Sequence, residues 1–335
     1  MSPRVTLATV AEALGVSTMT VSNAYNRPEK LSAALRERVL AKAAELGYAG
    51  PDAVARSLRR GKTGVLGVVL GEALVYAFED PATVEFFRGL AGAGIPLHLV
   101  PATGGAGDTA LVFDAAVDAF ILYALPDGHP LVDAAARRGL PVVVQSGPEV
   151  AGHPFVAIDE RAAGAAAADH LRALGHQRLA VLSLPWEIAD RADRPLRTGE
   201  PKHRVTRGRL AGYGVTVGRE VASNDRAHGE TAAGALLDGP DPPTGLLCMS
   251  DELAVGALRA AAVRGIPVPD RLSIVGFDDT PEAARADPPL TTIRQSLRDQ
   301  GRLCARLAGS GAPPATVEPQ PWELIVRGST GPSPE

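Results

Sequence analysis

Three short stretches at the start of the chain carry apolar residues every three or four positions, which predicts three helices. They cover residues 7–14, 18–25 and 33–46, and Gly15 stands where the first would end. A hydroxyl residue able to cap a helix precedes each of them: Thr6, Ser17 and Ser32. The connection 14–17 contains a glycine and has the length that joins the two helices of a helix-turn-helix.

From residue 64 onward the pattern changes to short aliphatic strands that alternate with alanine-rich helices. The candidate strands are 65–70, 95–100, 119–123, 142–145, 179–182, 245–249 and 272–277. The candidate helices between them include 82–93, 161–174, 252–264 and 297–307. Strands that are apolar on both faces and separated by crossover helices predict a parallel, doubly wound sheet. Roughly 270 residues exceed one such sheet, so we expect two similar lobes.

Two further segments show no periodicity. Residues 189–207 are rich in Arg, Pro, Gly and Asp, which predicts a mobile loop. The tail after Arg327 contains only small residues, prolines and one glutamate, which predicts disorder.

Charge is distributed unevenly along the chain. With 34 basic and 38 acidic residues the net charge is −4, which by itself argues weakly against a nucleic-acid partner. Up to Lys62, however, ten basic residues face five acidic ones, a net +5, and the remainder has 24 against 33, a net −9. Such asymmetry indicates that the basic part meets a polyanion.

Several classes of protein are not indicated by the sequence. Cys248 and Cys304 lie far apart without Cys or His neighbours, so we expect neither a disulfide framework nor a zinc site. His170 and His176 are spaced wrongly for a metal on one helix face. No signal-like or membrane-length apolar run occurs, so we expect a cytoplasmic protein with no membrane partner. Catalytic and cofactor-binding motifs are absent from their required contexts, so we expect neither an enzyme nor a cofactor.

The second predicted helix has a polar outward face. Val21 and Ala24 form its buried stripe. The residues left outward are Thr18, Met19, Ser22 and Asn23. Hydroxyls and amides can bond base edges or phosphates, and a methionine can contact thymine methyl groups. The residues alone leave two alternatives open, a DNA-binding head and an ordinary small helical bundle.

The whole string from 5 to 26 is more specific. It reads Val-Thr-Leu-Ala-Thr-Val-Ala-Glu-Ala-Leu-Gly-Val-Ser-Thr-Met-Thr-Val-Ser-Asn-Ala-Tyr-Asn and closely resembles the head of the LacI family of bacterial transcription regulators. Thr9 and Leu14 depart from that family's common Asp and Ala. Asn23 stands where many members carry an Arg that reads a guanine, so no operator sequence can be transferred. The resemblance continues to about Arg327.

Residues 51–59 resemble the hinge of that family, in which a leucine of each subunit wedges into the minor groove. Leu58 matches the leucine, and Ala55 matches the small residue that lets two hinge helices approach. An apolar side chain among basic ones suits the unstacking of a base step, although a surface linker is the alternative. Asp52 replaces the usual Asn, and we interpret it as hinge architecture. The resemblance implies these DNA-binding residues: Thr6, Ser17, Thr18, Met19, Thr20, Ser22, Asn23, Asn26, Ser32, Ala55, Leu58 and Arg59.

The larger part of the chain carries further family marks in the family's order. They begin with Val-Ala-Ile-Asp at 156–159, where Glu160 follows in place of the common Asn, and Arg-Leu-Ala-Gly-Tyr at 209–213. Ser-Asp-Glu-Leu-Ala-Val-Gly-Ala at 250–257 and Ser-Ile-Val-Gly-Phe-Asp-Asp at 273–279 come next. By this resemblance the cleft between the lobes is lined by Arg209, Ser250, Asp251 and Asp278, with Phe277 beside them. A structural ion-pair network, or an acidic helix cap in the case of Asp251, is the alternative.

The first lobe offers additional candidate ligand contacts. Tyr76, Phe78, Asp80 and Tyr123 stand where they could stack on or orient a ring, with core packing as the alternative. Ser146 sits where many sugar-responsive relatives have an acidic residue, a departure that bears on ordinary sugar recognition.

Together the resemblance implies a small all-α three-helix helix-turn-helix head with a hinge helix, followed by an α/β, two-lobed, doubly wound parallel-sheet domain like periplasmic binding proteins. The expected domains are a DNA-binding head at 1–49, a hinge at 50–63, an effector-binding and dimerisation domain at 64–328 and a disordered tail at 329–335. The implied function is a homodimeric transcription regulator, a repressor. Its affinity for a near-palindromic operator would be controlled by a sugar or nucleoside-like small molecule. The alternative is a soluble binding protein of the periplasmic type without DNA binding, which would need an export signal and no basic head.

Overall fold

A computed structural model describes residues 5–50, 61–105, 107–187, 190–311 and 317–334. The chain separates into two compact units, 1–64 and 65–335. Most of the predicted hinge 50–63, with Ala55, Leu58 and Arg59, lies outside the described residues. The predicted fold class, a helical head followed by an α/β domain with parallel sheets, is confirmed.

The first unit is built from three helices around a small apolar core. They are α1 Leu7–Leu14, α2 Thr18–Asn26 and α3 Ala33–Glu45. The hydroxyls of Thr6, Ser17 and Ser32 each accept a hydrogen bond from a backbone N–H in the first turn of the following helix. Gly15 ends α1 in the left-handed conformation, at φ 65°. The buried core residues are Val10, Ala11, Val21, Ala24, Val39 and Ala43.

The second unit contains two lobes, each built on its own sheet. The strands of lobe one are β1 Leu66–Leu70, β2 Leu97–Pro101, β3 Ala119–Tyr123, β4 Val142–Gln145 and β5 Phe155–Val156. Its helices are α4 Leu74–Glu79, α5 Pro81–Ala91, α6 Asp108–Asp114 and α7 Pro130–Arg137. All neighbouring strands pair in parallel, in the order β2-β1-β3-β4-β5. Because β1 and β3 are buried throughout, their continuous apolar sequences follow from burial on both faces.

Lobe two follows at Asp159. Its helices are α8 Glu160–Ala173, α9 Arg204–Tyr213, α10 Arg226–Leu237, α11 Asp251–Val263 and α12 Pro281–Arg285. Its strands are β6 Leu179–Ser183, β7 Arg194–Pro195, β8 Gly218–Glu220, β9 Gly245–Cys248, β10 Ser273–Asp278, β11 Thr291–Gln295 and β12 Trp322–Ile325. The sheet order is β12-β11-β10-β9-β6-β8-β7. Over the described residues the edge strands β12 and β7 pair antiparallel with their neighbours, and the other strands pair in parallel.

The chain crosses between the lobes more than once. After β11 it returns to lobe one as helix α13, Leu297–Gly309, whose buried residues join the core around Phe86. Helix α13 lies against α5 so closely that a Cβ on Gly89 or Gly301 would overlap the backbone of the other helix. The carboxyl ends of β10 and β11 are thereby brought next to lobe one.

Two predictions for irregular segments are wrong. The loop predicted at 189–207 contains strand β7, and helix α9 begins within it. Arg194 pairs with Asp190 at 2.7 Å, and Arg197 pairs with the buried Glu220 at 2.8 Å. The segment was misjudged because ion pairs and an edge-strand pairing leave no hydrophobic periodicity in the sequence.

The predicted disordered tail 329–335 is packed onto lobe two over the described residues 329–334. Ser329 is fully buried, and its carbonyl accepts a 2.8 Å hydrogen bond from the N–H of Ile274. The carbonyl of Gly331 accepts from His176 at 3.1 Å, and the N–H of Ser333 donates to Leu174 at 2.8 Å. Hydrogen bonds of its backbone and of the Ser329 and Thr330 hydroxyls order this segment without any hydrophobic periodicity.

Candidate ligand-binding cleft and nucleic-acid interface

A cleft lies between the two lobes at the carboxyl ends of their strands, where doubly wound sheets bind ligands. It encloses about 840 Å³, including the part open to solvent. Its polar lining from lobe one consists of Glu72, Tyr76, Asp80, Thr83, Tyr123, Gln145 and Ser146. The polar lining from lobe two and the crossover consists of Glu160, His203, Thr206, Arg209, Asn224, Ser250, Asp278 and Gln295.

Arg209 on helix α9 is held between two carboxylates on the lobe-two side of the cleft. Its Nε donates to Glu160 Oε2 at 2.8 Å, and its Nη2 lies 3.7 Å from Asp278 Oδ1. A further N–H donates to the carbonyl of Met249, and the guanidinium stacks on the ring of Phe277 at 3.4 Å from the centroid. Since Arg209 is only 3% exposed, the guanidinium is fixed as a rigid anchor in the cleft.

Asp80 lies on the lobe-one side of the cleft, at the start of helix α5. Its carboxylate caps the helix by accepting from the N–H of Thr83 at 3.1 Å, and it accepts from the Thr83 hydroxyl at 2.6 Å. The Thr83 hydroxyl lies 3.1 Å from the hydroxyl of Tyr123. Burial, with a smaller contribution from the charge of Asp278, raises the pKa of Asp80 to about 6, although hydrogen bonds from Thr83 lower it in part. Asp80 lines the cleft, and its ionised carboxylate has acceptor sites beyond those that Thr83 occupies, so it can accept hydrogen bonds from a ligand.

The mouth of the cleft carries contacts between the lobes. Arg191 forms an ion pair with Glu72 and stacks over Tyr76 at 5.3 Å. The N–H of Asn224 donates to the Tyr76 hydroxyl at 3.3 Å. Burial, followed by the charge of Arg191, lowers the pKa of His203 to about 4, so this imidazole is neutral at physiological pH.

Strained backbone positions cluster at the cleft. Ala124, Ser146 and Asp278 have φ of 51°, 52° and 105°, a region that side-chain-bearing residues rarely adopt. All three line the cleft. Such strain is kept where the surrounding structure fixes it, and it accumulates at functional sites.

Seven of the predicted ligand residues line the cleft: Tyr76, Asp80, Tyr123, Ser146, Arg209, Ser250 and Asp278. Phe78 does not, because it is 58% exposed and its ring packs on Phe87 at 5.5 Å. Contrary to the prediction, Phe78 therefore does not line the cleft. The neighbouring Tyr76 faces inward because the two residues lie on different faces of helix α4.

Asp251 and Phe277 are also corrected, since both lie behind the cleft wall. Asp251 is fully buried and accepts hydrogen bonds of 2.7 Å from the N–H of Thr280 and the hydroxyl of Thr292. Phe277 is fully buried in the lobe-two core and supports Arg209. The contacts of Asp251 favour the alternative, in which this residue has a structural role.

Sequence reasoning missed eight polar residues of the lining: Glu72, Thr83, Gln145, Glu160, His203, Thr206, Asn224 and Gln295. Glu160 gave a signal, because it replaces an Asn of the family pattern directly after Asp159. Gln295 gave another, since it ends a strand. Gln145 likewise ends a strand, and the remainder lie on loops or helix starts that carry no motif.

In the head, helix α2 presents the predicted polar face. Met19 is 66% exposed, and Thr18 is exposed beside it. Ser22 and Asn23 are half-buried, and the amide of Asn26 donates to the Ser22 carbonyl at 3.0 Å. The hydroxyls of Thr6, Ser17 and Ser32 serve as helix caps, which leaves their oxygens close to the helix N-termini. A helix N-terminus attracts phosphate through its free N–H groups.

Within the described residues, no helix is both long and apolar enough to cross a membrane. A helix-turn-helix head followed by a two-lobed domain with a polar interlobe cleft defines the class of ligand-responsive DNA-binding regulators.

Comparison with known proteins agrees with this class. Residues 6–50 match the family of bacterial regulatory proteins of the lacI type, and residues 168–330 match the periplasmic binding protein-like domain. An HTH-type transcriptional regulator of Mycobacterium tuberculosis is 39% identical, with 99% of each chain covered. The chain belongs to the LacI family and is a transcription regulator with a DNA-binding head.

Two solved structures extend the likeness across nearly the whole chain. The Lac repressor dimer bound to operator and the anti-inducer ONPF has a TM-score of 0.76 at 26% identity, covering 98% of this chain and 99% of that one. The regulator CelR in complex with cellobiose has a TM-score of 0.67 at 26% identity, covering 97% of this chain and 100% of that one.

Proposed function

We propose that the protein is a homodimeric repressor whose hold on a near-palindromic operator is controlled by a small molecule bound in the interlobe cleft. The observation that carries this proposal is the clasp of Arg209 between Glu160 and Asp278, facing the carboxylate of Asp80 across the cleft. Groups of opposite charge fixed on two lobes can hold a ligand only when the lobes are close together. Ligand binding then favours one lobe arrangement by its differential affinity.

The proposed effector is an uncharged, hydroxylated molecule such as a sugar or nucleoside. Four carboxyl groups line the cleft, at Glu72, Asp80, Glu160 and Asp278, against the single guanidinium of Arg209 among the described lining. Carboxylates accept hydrogen bonds from hydroxyl groups, whereas a phosphate or carboxylate on the ligand would meet a predominantly negative wall. The cellobiose in the CelR structure supports this ligand class.

The proposed DNA contacts are made by helix α2 and the hinge. The exposed Met19 and Thr18, with Thr20, Ser22 and Asn23 on the same helix, would enter the major groove. Thr6, Ser17 and Ser32 would approach phosphates, with Asn26 nearby. The Lac repressor dimer on its operator supports a two-fold arrangement. This function makes and breaks no covalent bond, so we propose a binding protein rather than an enzyme, acting in the cytoplasm where its DNA lies.

The effector class is tested by a mobility-shift titration on the DNA upstream of the protein's own gene. We expect uncharged sugars or nucleosides to change the fraction of DNA bound, because they fit the acceptor-rich cleft. Sugar phosphates of the same ring should have weaker effects by at least about tenfold in concentration, since each added charge faces the carboxylates. A response to the phosphates alone would contradict the proposed ligand class.

The hinge contact is tested by Leu58→Ala, measured as Kd on operator and on unrelated DNA. We expect operator affinity to fall by about tenfold or more, with affinity for unrelated DNA nearly unchanged, because the wedge acts only at a deformed base step. Arg59→Ala is the matched control, since loss of a phosphate contact weakens both complexes similarly. If Leu58→Ala leaves the ratio of the two affinities unchanged, Leu58 does not act as a wedge at the operator.

A further inference from the structure

Three of the chain's five glutamines meet beside the cleft. Gln145 ends strand β4 in lobe one, Gln295 ends β11 in lobe two, and Gln300 lies on α13 between them. All three are buried, and Gln145 and Gln300 are each 1% exposed. The other two glutamines, Gln177 and Gln320, lie outside this cluster.

Side-chain amides connect these glutamines in one continuous chain that begins at Asp278. Gln295 Nε2 donates to Asp278 Oδ1 at 2.8 Å, and Gln300 Nε2 donates to Gln295 Oε1 at 3.1 Å. Gln145 Nε2 then donates to Gln300 Oε1 at 2.8 Å and to the Ser146 hydroxyl oxygen at 2.8 Å. We call Asp278, Gln295, Gln300 and Gln145 the glutamine relay.

The direction of the glutamine relay is set at its acidic end. Asp278 Oδ1 lies 3.7 Å from Arg209, which can only donate, so this oxygen accepts. Gln295 must therefore turn its amide nitrogen to Asp278 and its oxygen to Gln300. Each following amide is fixed in the same sense, because an oxygen facing an oxygen would leave both without a donor.

The last member of the relay is left with an unused acceptor. Both N–H groups of Gln145 are occupied, and its Oε1, although buried, has no hydrogen-bond partner among the described residues. Gln145 and Ser146 both line the cleft. Since Ser146 accepts from Gln145, its own hydroxyl hydrogen is free to point elsewhere. A buried acceptor without a partner costs stability unless something fills it.

We propose that the glutamine relay makes Gln145 a specificity-determining residue, which accepts a hydrogen bond from a hydroxyl or amine group of the effector at this corner of the cleft. Gln300, which is outside the cleft lining, is a positioning residue that holds the Gln145 oxygen toward the ligand. This inference rests on the proposed function, because it assumes that the effector occupies the cleft. It adds that one particular ligand position must carry a donor.

The relay is tested first without any ligand. With only five glutamines in the chain, selective ¹⁵N labelling of glutamine gives five side-chain amide groups, each seen as a pair of N–H signals, and Gln145→Met and Gln300→Met assign two of them. We expect the amide protons of Gln145 and Gln300 to exchange with solvent at least about a hundredfold more slowly than those of the exposed Gln177, since buried, bonded groups are protected. Exchange as fast as that of Gln177 would overturn the relay.

The specificity claim is tested by calorimetry with D-glucose, D-ribose, cellobiose and adenosine, each beside its monodeoxy analogues. For a probe that binds, we expect one deoxy analogue to bind about tenfold more weakly, because it leaves Gln145 Oε1 unpaired. Gln145→Met should raise the Kd of the parent probe by a similar factor and should abolish discrimination against that analogue. Gln177→Met is the matched control and should change neither value.

Gln300→Met separates positioning from general damage. If Gln300 orients Gln145, the ratio of Kd between the deoxy analogue and the parent falls toward one, whereas a merely structural change weakens both equally. A bound probe whose Kd and discrimination are unchanged in Gln145→Met overturns this inference and leaves the proposed function standing. If none of the four probes binds the wild type, the proposed effector class fails, and the amide exchange rates alone decide the relay.

Discussion

Replacing Arg209 with methionine is expected to destabilise the protein by about 3–5 kcal/mol and to abolish effector binding. Methionine keeps much of the apolar volume but leaves Glu160 and Asp278 without the cation that pairs with both. Both carboxyls are buried, and burial raises the pKa of each despite the opposing charge of Arg209. Without that charge their ionised forms have no compensation for desolvation.

The destabilisation caused by Arg209→Met should increase as pH rises. A carboxyl whose pKa is raised in the folded state favours folding below its unfolded pKa, and this contribution is lost as pH rises through the folded pKa. Because Arg209→Met raises the pKa of Glu160 and Asp278 further, its penalty should be small near pH 4 and largest above neutrality. Urea denaturation of both proteins at several pH values measures this. A stability difference that stays constant with pH would contradict the buried-charge explanation.

Arg207→Met provides a matched control on the same helix. Arg207 pairs with Asp127 at 2.6 Å, but both side chains are about one-third or more exposed, at 33% and 43%. Solvent screens such a pair, so we expect a loss below about 1 kcal/mol and no pH dependence of the Arg209 kind. A double variant, Arg209→Met with Glu160→Gln, should recover part of the stability, since one of the two unpaired charges is removed.

Sequence reasoning predicted the elements well where a residue's own neighbours decide its structure. The helices around Val10, Val21 and Val39 follow from local spacing and caps, and strands 119–123 and 142–145 have the predicted bounds. It failed where order comes from hydrogen bonds of the backbone and of polar side chains. The segment 329–334 has no apolar pattern, yet it is bonded along lobe two.

The candidate site was predictable only in part, for a related reason. Doubly wound sheets bind ligands at the carboxyl ends of their strands, and this rule predicts site residues at strand ends, such as Asp278. Partners that meet through the tertiary fold do not: Gln145 and Gln300 are 155 positions apart, and nothing in either local sequence points to the other. Sequence could not separate an acid that lines the cleft from one behind it, which is why Asp251 was misplaced.

Asp251 should make the stability of the protein fall as pH rises from about 4 to about 8. This carboxyl is fully buried at the start of helix α11, and burial, with a further contribution from the charge of Asp278, raises its pKa to about 8. The unfolded chain releases the proton near its ordinary pKa of 3.8, whereas the folded protein keeps it. Folding therefore loses stability throughout this pH window, by something on the order of 5 kcal/mol in total.

Asp251→Asn tests this directly, because asparagine has nearly the same shape and no charge at any pH. Near pH 4 and below, the variant should fold about as stably as the wild type, since a neutral amide replaces a neutral acid of nearly the same shape between Thr280 and Thr292. As pH rises from about 4 to about 8 it should become increasingly the more stable protein, because the wild type alone loses the stability that depends on the Asp251 proton. Denaturation midpoints across pH 4–9 measure the difference, and parallel profiles for the two proteins would show that Asp251 is ionised in the fold.

For Asp238→Asn we expect a change in the pH dependence of stability that is opposite in sign to that of Asp251→Asn. Asp238 pairs with Arg264 at the surface, and a hydrogen bond from Arg264 is the main cause that lowers its pKa. A carboxyl with a lowered folded pKa stabilises the protein above its unfolded pKa and loses that contribution as pH falls. Its removal should thus lower stability only weakly and only above about pH 4, whereas the gain in stability from Asp251→Asn grows from about pH 4 to about pH 8. The two profiles together distinguish a buried neutral acid from a surface ion pair within one domain.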